Sequence, residues 1–429
     1  MEQELPWAEP PWLGSAWASP YYNESHRKLQ AYARRYYDEN VVPHMLEWEE
    51  AGDCPSSAKA SYLKSGLAVL DVPKEYRPSE FNTVAGIPVD ELDVFHRIIL
   101  TDEVSRIEGG VSTALSGGAN VIGLPPIVKY GTEAQKKRWL PGLFTAETSF
   151  CLGITEPSGG SDVSNLRTTA KKSADGTHYV VNGHKKWITG SPWATHMTTA
   201  VRTGGSGPGG ISLLVIPLSL PGVSVQKIHN SGQSAGGASW VRLDNVKVPA
   251  DHLIGVENEG FMYVMKNFNN ERFVMAVACN RKARTCLSTA LAYAFERETF
   301  GVPLISHQII RHKIVHLARD IEAHWARLEQ IAYHIQKHGW YGRDIAGPIA
   351  MAKISGGRIL ELSAREAQQI MGGVAYQRDG PSGGGSVEQI TRDLRMMVVG
   401  GGSEEILGDL AFKEEIKTAK EKAKVKGKL

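Results

Sequence analysis

The residue types best suited to chemistry in this sequence lie in one stretch, residues 151–191. An apolar run enters the turn-forming segment Glu156–Asp162, and a Lys-Trp-Ile-Thr sequence follows at Lys186–Thr189. Asn182-Gly183 lies between β-forming residues, which predicts a hairpin with a type I′ turn. Turn, hairpin and tryptophan together predict a small β module whose hydroxyls and main-chain donors can hold a flat polar ring system.

The elements around this stretch are predicted to change from helices to strands and back to helices. A helix is expected from residue 23 or 25 to about 50, with an interruption at Pro43. Residues 91–107 and Thr132–Leu140 also have helical patterns, whereas β-branched runs at 211–218, 223–228 and 239–248 predict strands. Within 311–338, apolar residues recur at every seventh position, which predicts a long core-facing helix in a bundle or subunit interface: Ile314, Ile321, Leu328 and Ile335.

Length and composition limit the function classes. A chain of 429 residues predicts two to three domains, and a net charge of +2 argues against nucleic acid or an anionic membrane as partner. No run is apolar enough for a membrane helix, and four cysteines without a CxxC pair predict neither a disulfide framework nor a metal site. The predicted segments are an arm at 1–22, an N-terminal helical domain at 23–150, a middle β-domain at 151–260, a C-terminal helical bundle at 261–415 and a basic tail at 416–429.

The two ends of the chain bear on its compartment. The N-terminus is acidic and rich in Trp and Pro, unlike an Arg-rich transit peptide, so mitochondrial import is disfavoured. The chain ends in Gly427-Lys428-Leu429, which matches the peroxisomal Ser-Lys-Leu signal only in part. A cytoplasmic or peroxisomal location is expected.

Two short motifs suggest other functions, but their context argues against them. Residues 205–210 satisfy GxGxxG, yet they contain Pro208 and precede a predicted strand, so a linker is expected. Residues 232–236 satisfy GxSxG, but strand-like residues follow where a nucleophile elbow turns into a helix. A dinucleotide-binding Rossmann turn and a serine hydrolase are therefore disfavoured.

The 151–191 stretch resembles the flavin-binding centre of the acyl-CoA dehydrogenases. The family pattern is an apolar pair with Thr-Glu-Pro, a Gly-rich Ser-Asp turn, and Asn-Gly-x-Lys-x-Trp-Ile-Thr; here these are Ile154–Pro157, Gly160–Asp162 and Asn182–Thr189. The resemblance covers roughly residues 25–415. It implies FAD as cofactor and an α+β fold with an N-terminal helical domain, a middle β-barrel or sandwich, and a C-terminal four-helix bundle.

The resemblance also implies binding residues. The positions that match family contacts with FAD are Leu152, Ile154, Thr155, Ser161, Trp187, Ile188, Thr189, Arg297, Thr299, Phe300, Gln308, Gln369, Gly372, Gly373, Ser403 and Glu405. The resemblance implies that Trp187 packs on the flavin ring and that Arg297 and Gln308 reach the pyrophosphate and adenosine of the FAD of a neighbouring subunit. The guanidinium group of Arg297 suits this role, because it is always charged and can bind phosphate through two hydrogen bonds. The substrate contacts implied are Ser161, Arg272, Gly401 and Gly402.

The catalytic base departs from the commonest family pattern. Many relatives carry a Glu-Gly pair shortly after an Arg-Asp, but here Arg392-Asp393 leads to Gly401 at the matching position. Glycine accepts no proton, although its N–H can serve a thioester oxygen. A minority of relatives place the base in a Glu-Arg pair on a C-terminal-domain helix, and Glu271-Arg272 matches that pair. Glu271 is the implied base, with Glu404 or Glu405, or no base at all, as alternatives.

The function implied is therefore an acyl-CoA dehydrogenase. It abstracts the α-proton of an acyl-CoA, transfers the β-hydride to flavin N5 and gives a 2-enoyl-CoA. The electron acceptor is another flavoprotein or oxygen, and a homodimer or homotetramer is expected. A flavin-dependent acyl-CoA oxidase and a non-catalytic flavoprotein that binds a partner stay as alternatives, the latter because of Gly401.

Overall fold

The computed structural model describes residues 5–14, 17–68, 72–340, 342 and 344–425. These residues divide into two compact units. The helical unit consists of the described parts of 1–46, 92–108 and 269–429, and the sheet unit consists of those of 47–91 and 109–268. The terminal Gly-Lys-Leu sequence, on which the peroxisomal prediction depends, lies outside the described residues.

Helices precede and follow the main run of strands. The α-helices are α1 (Glu24–Asn40), α2 (Met45–Ala51), α3 (Ser56–Lys64), α4 (Val94–Val104), α5 (Val111–Leu115), α6 (Asn120–Gly123), α7 (Pro125–Tyr130), α8 (Glu133–Trp139), α9 (Gly260–Glu296), α10 (Gln308–His338), α11 (Ala346–Met371), α12 (Gly384–Val399) and α13 (Glu404–Val425). The strands are β1 (Thr83–Val84), β2 (Ile87–Pro88), β3 (Phe150–Gly153), β4 (Thr169–Lys172), β5 (His178–Ile188), β6 (His196–Arg202), β7 (Ile211–Pro217), β8 (Val223–Lys227), β9 (Ser239–Pro249), β10 (Leu253–Ile254), β11 (Glu298–Thr299) and β12 (Val302–Pro303). This order confirms the predicted α+β class.

The helical unit is built on long amphipathic helices. In α10 the four apolar residues predicted to face a core, from Ile314 to Ile335, are all buried. Their seven-residue spacing keeps them on one face of the helix, so the face packs continuously against its neighbours. Helix α9, which is 37 residues long, contributes buried residues such as Phe273 and Leu287 to the same unit.

The sheet unit contains an eight-stranded sheet within the described residues. Its strand order is β10-β7-β6-β4-β5-β9-β8, and β3 pairs in parallel with β6 off this path. Successive side chains of β3 point to opposite faces, as the two-residue period of a strand requires. Phe150 and Leu152 therefore join one apolar cluster, and Cys151 joins the other.

The predicted hairpin at Asn182-Gly183 is wrong. Strand β5 runs without a turn from His178 to Ile188, and Gly183 lies inside it at a register shift against β9. The φ of Gly183 is +153°, and a Cβ at this position would lie 2.5 Å from the Thr168 hydroxyl. Glycine here serves a β-bulge and a close approach to Thr168, and it does not serve a turn.

No helix within the described ranges is long and apolar enough to cross a lipid bilayer.

Candidate active site

Trp187 occupies an unusual backbone position at the end of β5. Its φ is +65°, a conformation that costs a bulky residue about 1–3 kcal/mol. The pairing between β5 and β9 shifts register between Lys185 and Ile188, so a bulge at this point re-aims the indole. The Trp187 side chain is 51% exposed, and the ammonium of Lys186 lies 4.8 Å from the ring centroid. A strained, exposed aromatic ring on a rigid strand is typical of a ligand-binding surface.

A buried ion pair supports this end of β5. The Lys185 ammonium donates to Glu156 Oε1 at 2.8 Å and to the Ile154 carbonyl at 3.1 Å. Burial lowers the pKa of Lys185 to about 8, although Glu156 raises it. Glu156 also accepts the N–H groups of Arg167 at 2.6 Å and Thr168 at 2.9 Å, so its charge is fully compensated.

The 152–155 segment and the 185–189 segment lie side by side. The N–H of Lys186 donates to the Thr155 carbonyl at 2.9 Å, one residue along from the Lys185 contact with Ile154. Leu152, Ile154 and Ile188 are buried, so their side chains belong to the core and only their main chain can reach a ligand. Thr155 and Thr189 are half-buried, and Ser161 is exposed.

Glu271 on α9 is a partly shielded carboxyl in the helical unit. The side chain is partly exposed, but its Oε2 is shielded from solvent and has no hydrogen-bond partner among the described residues. Burial raises the pKa of Glu271 to about 7, although Arg272 and Lys353 lower it. A carboxyl with a free oxygen and a pKa near neutrality is suited to accept a proton.

Arg272 links α9 to a glycine turn in the same unit. Its Nε donates to the Gly401 carbonyl at 2.9 Å. Gly401 and Gly402 have φ values of +68° and +117°, which glycine adopts without strain. A Cβ at position 401 would lie 3.1 Å from the Met275 sulfur, so this turn leaves no room for a side chain without movement of Met275.

The alternative base Glu404 is differently placed. Its carboxylate accepts two hydrogen bonds from Arg358, at 2.6 and 2.7 Å, at the start of α13. These bonds hold the pKa of Glu404 below its ordinary value, which makes it a weaker base than Glu271. Glu405 is exposed, and Ser403 is half-buried and accepts the Leu407 N–H with its carbonyl.

The remaining predicted FAD contacts lie on the surface of the helical unit. Phe300 is 97% exposed with φ +53° at the tip of the β11–β12 hairpin. Beside it the Thr299 hydroxyl and the His307 Nε2 are 3.1 Å apart. Arg297, Gln308, Gln369, Gly372 and Gly373 are exposed as well, and a Cβ at either glycine would meet nothing within 4 Å. The contact of these residues with FAD, and for Arg297 and Gln308 with the FAD of a neighbouring subunit, stays a prediction.

The GxSxG and GxGxxG motifs have structural roles. The N–H groups of Ser234 and Ala235 donate to the buried carboxylate of Glu49, which also accepts the Gly110 N–H at 2.8 Å. The segment then continues into β9, so no strand-to-helix elbow forms. The second motif lies in the connection between β6 and β7.

Two histidines and an aspartate form a cluster in the helical unit. The ring nitrogens of His26 and His96 lie 3.0 and 2.9 Å from Asp93 Oδ1, and the two rings stack. The Nδ1 atoms of His26 and His96 also close the capping boxes of α1 and α4, where they accept the N–H groups of Asn23 and Asp93. The cluster therefore joins the N-terminal ends of these two helices.

Glu156 with Lys185, and Lys353 beside Glu271, are site residues that the sequence interpretation missed. Glu156 and Lys185 stand inside the quoted motifs, and a lysine on the inward-facing side of a strand is the signal that suggests burial. Lys353 lies in a helix far from any motif, and nothing in its immediate sequence marks it.

Family models for three domains of one protein family match consecutive parts of the chain. They are "Acyl-CoA dehydrogenase, N-terminal domain" at residues 23–147, "Acyl-CoA dehydrogenase, middle domain" at 151–246 and "Acyl-CoA dehydrogenase, C-terminal domain" at 258–414. The chain is 40% identical over 433 residues to "Acyl-CoA dehydrogenase apdG" of Emericella nidulans, covering 99% of this chain and 98% of that protein. It is 42% identical over 421 residues to "Acyl-CoA dehydrogenase AFT10-1" of Alternaria alternata, covering 96% of each.

Solved structures show the same fold. A probable acyl CoA dehydrogenase from Mycobacterium abscessus superposes with a TM-score of 0.80 at 32% identity, over 93% of this chain and 99% of that one. Butyryl-CoA dehydrogenase from Megasphaera elsdenii gives a TM-score of 0.83 at 25% identity, over 93% of this chain and 100% of that one. The predicted resemblance and fold are confirmed. The chain belongs to the acyl-CoA dehydrogenase family, the FAD-dependent oxidoreductases that act on CH–CH groups.

Proposed function

We propose that this protein oxidises an acyl-CoA thioester to the 2-enoyl-CoA, with Glu271 as the base that takes the α-proton. The observation that carries the proposal is the state of the Glu271 carboxyl. Its Oε2 is shielded and unpaired among the described residues, and its pKa is raised to about 7 by burial. Structural carboxylates inside proteins are normally paired, as Glu156 and Glu49 are, so an unpaired oxygen suits a group that must meet a substrate.

The residues of the sheet unit fit a flavin. The exposed indole of Trp187 offers a flat apolar face, and the bulge and the Lys185–Glu156 pair keep that face rigid. Thr189 lies two residues after Trp187, and the Thr155 carbonyl accepts the N–H of Lys186, the residue before Trp187. Both threonines are half-buried, and their hydroxyls can supply polar contacts for a ring. When bound, FAD supplies the acceptor for the β-hydride.

The helical unit supplies the groups for proton removal. Because its pKa is raised to about 7, Glu271 is a stronger base than an ordinary carboxylate and still ionises near neutral pH. Arg272 holds the Gly401 carbonyl, which fixes the plane of the Gly401–Gly402 peptide and so the direction of its N–H. Main-chain N–H groups of this turn are the donors that we assign to the thioester oxygen, where negative charge develops as the α-proton leaves.

We also propose an electron acceptor, an oligomeric state and a cellular location for this protein. The acceptor of the electrons is an electron-transferring flavoprotein, with oxygen as the alternative, and the working form is a homodimer or homotetramer. The exposed Phe300 hairpin with Arg297 supports the assembly, because such a surface is suited to meet another subunit. A cytoplasmic or peroxisomal location completes the proposal.

Anaerobic mixing of the FAD-loaded protein with a panel of acyl-CoAs tests this function. Straight-chain, branched and dicarboxylic acyl-CoAs are added in turn, and bleaching of the oxidised flavin absorbance is recorded. At least one should bleach the flavin, and Glu271→Gln should abolish the bleaching while FAD stays bound. Glu404→Gln should keep it, because Glu404 is paired with Arg358. Bleaching by Glu271→Gln at the wild-type rate would contradict the assignment, and peroxide formation after oxygen is admitted distinguishes an oxidase.

A further inference from the structure

Helix α11 approaches α9 closely at Gly356 and packs against α12 at the next residue, Gly357. A Cβ at Gly356 would lie 3.1 Å from the Cys279 Cβ on α9, and one at Gly357 would lie 3.7 Å from the Val398 side chain on α12. The absence of a side chain at Gly356 therefore lets α11 approach α9, whereas α11 meets α12 at an ordinary van der Waals distance. This packing places Lys353, one turn earlier on α11, at the C-terminal end of α12.

The Lys353 ammonium bridges the two ends of the glycine turn. Its side chain is buried, and its Nζ donates to the Val398 carbonyl and, at 3.0 Å, to the Gly402 carbonyl. Val398 belongs to the last turn of α12, where helix carbonyls have no partner within the helix and the dipole favours a cation. The Lys353 side chain thus caps the C-terminal end of α12 and also binds the Gly402 carbonyl. The preceding carbonyl, that of Gly401, is bound by Arg272.

The charged and titratable groups that face Lys353 come from α9 and from the start of α13. They are Cys279, Arg272, Glu271 and Glu404. Burial lowers the pKa of Lys353, and Arg272 lowers it further, while Glu271 and Glu404 raise it. In turn, Lys353 and Arg272 are the charges that lower the pKa of Glu271 against the effect of its burial.

We propose that Lys353 is a positioning residue for the dehydrogenation, holding the Gly401–Gly402 turn through two carbonyls and stabilising the Glu271 carboxylate by its charge. The proposal rests on the function proposed above. Arg272 orients the first peptide of the turn, and Lys353 fixes its far end. Both charges favour the ionised form of Glu271, Arg272 more than Lys353.

The pH dependence of flavin reduction tests this role in the FAD-loaded protein. In the wild type, the rate of anaerobic bleaching by acyl-CoA should rise with pH through about 7, following the ionisation of Glu271. Lys353→Met and Lys353→Gln should both move this rise by about one pH unit to the alkaline side, because one nearby positive charge is lost. The rate at pH 7, expressed as a fraction of the plateau rate at high pH, should then be about fivefold lower in each variant than in the wild type.

The two substitutions separate charge from turn geometry. Glutamine keeps a donor for one carbonyl, whereas methionine keeps none, so Lys353→Met should also lower the plateau rate by about tenfold or more. Lys353→Arg keeps the charge and should leave the rise near 7. Lys313→Met is the matched control: it removes a lysine charge that pairs with Glu366 between α10 and α11, and it should leave the pH profile unchanged.

The outcomes distinguish this inference from the function on which it rests. If Lys353→Met and Lys353→Gln lower the rate equally at every pH, the residue has only a structural role and the inference is overturned. The same follows if neither variant changes the profile. If no acyl-CoA bleaches the wild type, or if Glu271→Gln bleaches normally, the proposed function fails and the inference fails with it. FAD absorbance and the circular dichroism spectrum show whether each variant is folded.

Discussion

Replacement of Glu271 by glutamine should stabilise the protein more at pH 8 than at pH 5. The folded-state pKa of this carboxyl is raised to about 7, above its ordinary value of 4.5. Between these values the folded protein keeps a proton that the unfolded chain releases, so the favourable contribution is complete below pH 4.5 and is lost as pH rises through 7. Glutamine resembles the neutral acid at every pH and avoids this loss.

The magnitude follows from the size of the pKa change. A rise from 4.5 to about 7 corresponds to about 3 kcal/mol of lost stability once the group is ionised. Because the side chain is partly exposed, water offsets some of this cost, and ~1–3 kcal/mol is expected. For a chain of 429 residues this corresponds to roughly 1–3 °C in the thermal midpoint.

Thermal unfolding of the FAD-loaded protein at the two pH values measures the effect without any substrate. The gain in midpoint of Glu271→Gln over the wild type should be small at pH 5, where the unfolded chain has begun to release the proton, and several times larger at pH 8. Glu404→Gln is the matched control of opposite sign, because Arg358 holds the pKa of Glu404 low and its loss brings no gain at pH 8. Equal gains for Glu271→Gln at both pH values, or a larger gain at pH 5, would show that Glu271 is not a shielded, unpaired carboxyl with a raised pKa.

Three further substitutions test the aromatic ring, the buried ion pair and the glycine turn of the candidate site. Trp187→Leu should weaken FAD binding about tenfold in a titration of the apoprotein, through loss of aromatic stacking, and unchanged affinity would remove Trp187 from the flavin site. Lys185→Met should cost about 3–5 kcal/mol in unfolding free energy because it leaves Glu156 charged and buried, and adding Glu156→Gln should recover part of it; no loss would show that the pair is solvated. Gly401→Ala should slow flavin reduction, because alanine disfavours φ +68°, whereas Gly408→Ala inside α13 should be harmless; equal rates in both would contradict the turn geometry.

Much of the fold was predictable because its elements carry strong local patterns. The seven-residue spacing in α10 and the capping box at Thr132, with Gln135 three residues later, each determine a helix from nearby residues alone. The hairpin prediction at Asn182-Gly183 failed because the same dipeptide fits two structures. Only the neighbouring strand, with Thr168 against Gly183, selects the bulge over the turn.

The candidate site was predictable where one short motif contains its residues. Trp187 and Glu156 fall within such a motif, and a buried lysine on β5 could be suspected from strand alternation. Lys353 could not, because its partners Val398 and Gly402 are more than forty residues further along the chain. Its role depends on the packing of α11 against α12, where Gly357 lies beside Val398, a tertiary contact that no local pattern encodes.

The geometry of the glycine turn gives a physical reason for a base on α9. A glutamate at position 401 would need a left-handed backbone at φ +68°, and its Cβ would lie 3.1 Å from the Met275 sulfur and 3.5 Å from the Arg272 Cγ. Position 271 has ordinary helical geometry, so a carboxylate there costs no backbone strain. The main-chain N–H groups of the turn then stay available for the thioester oxygen that we assign to them. Arg272 also holds the carbonyl of residue 401, so the neighbour of the proposed base on the helix orders the turn whose backbone conformation disfavours a glutamate.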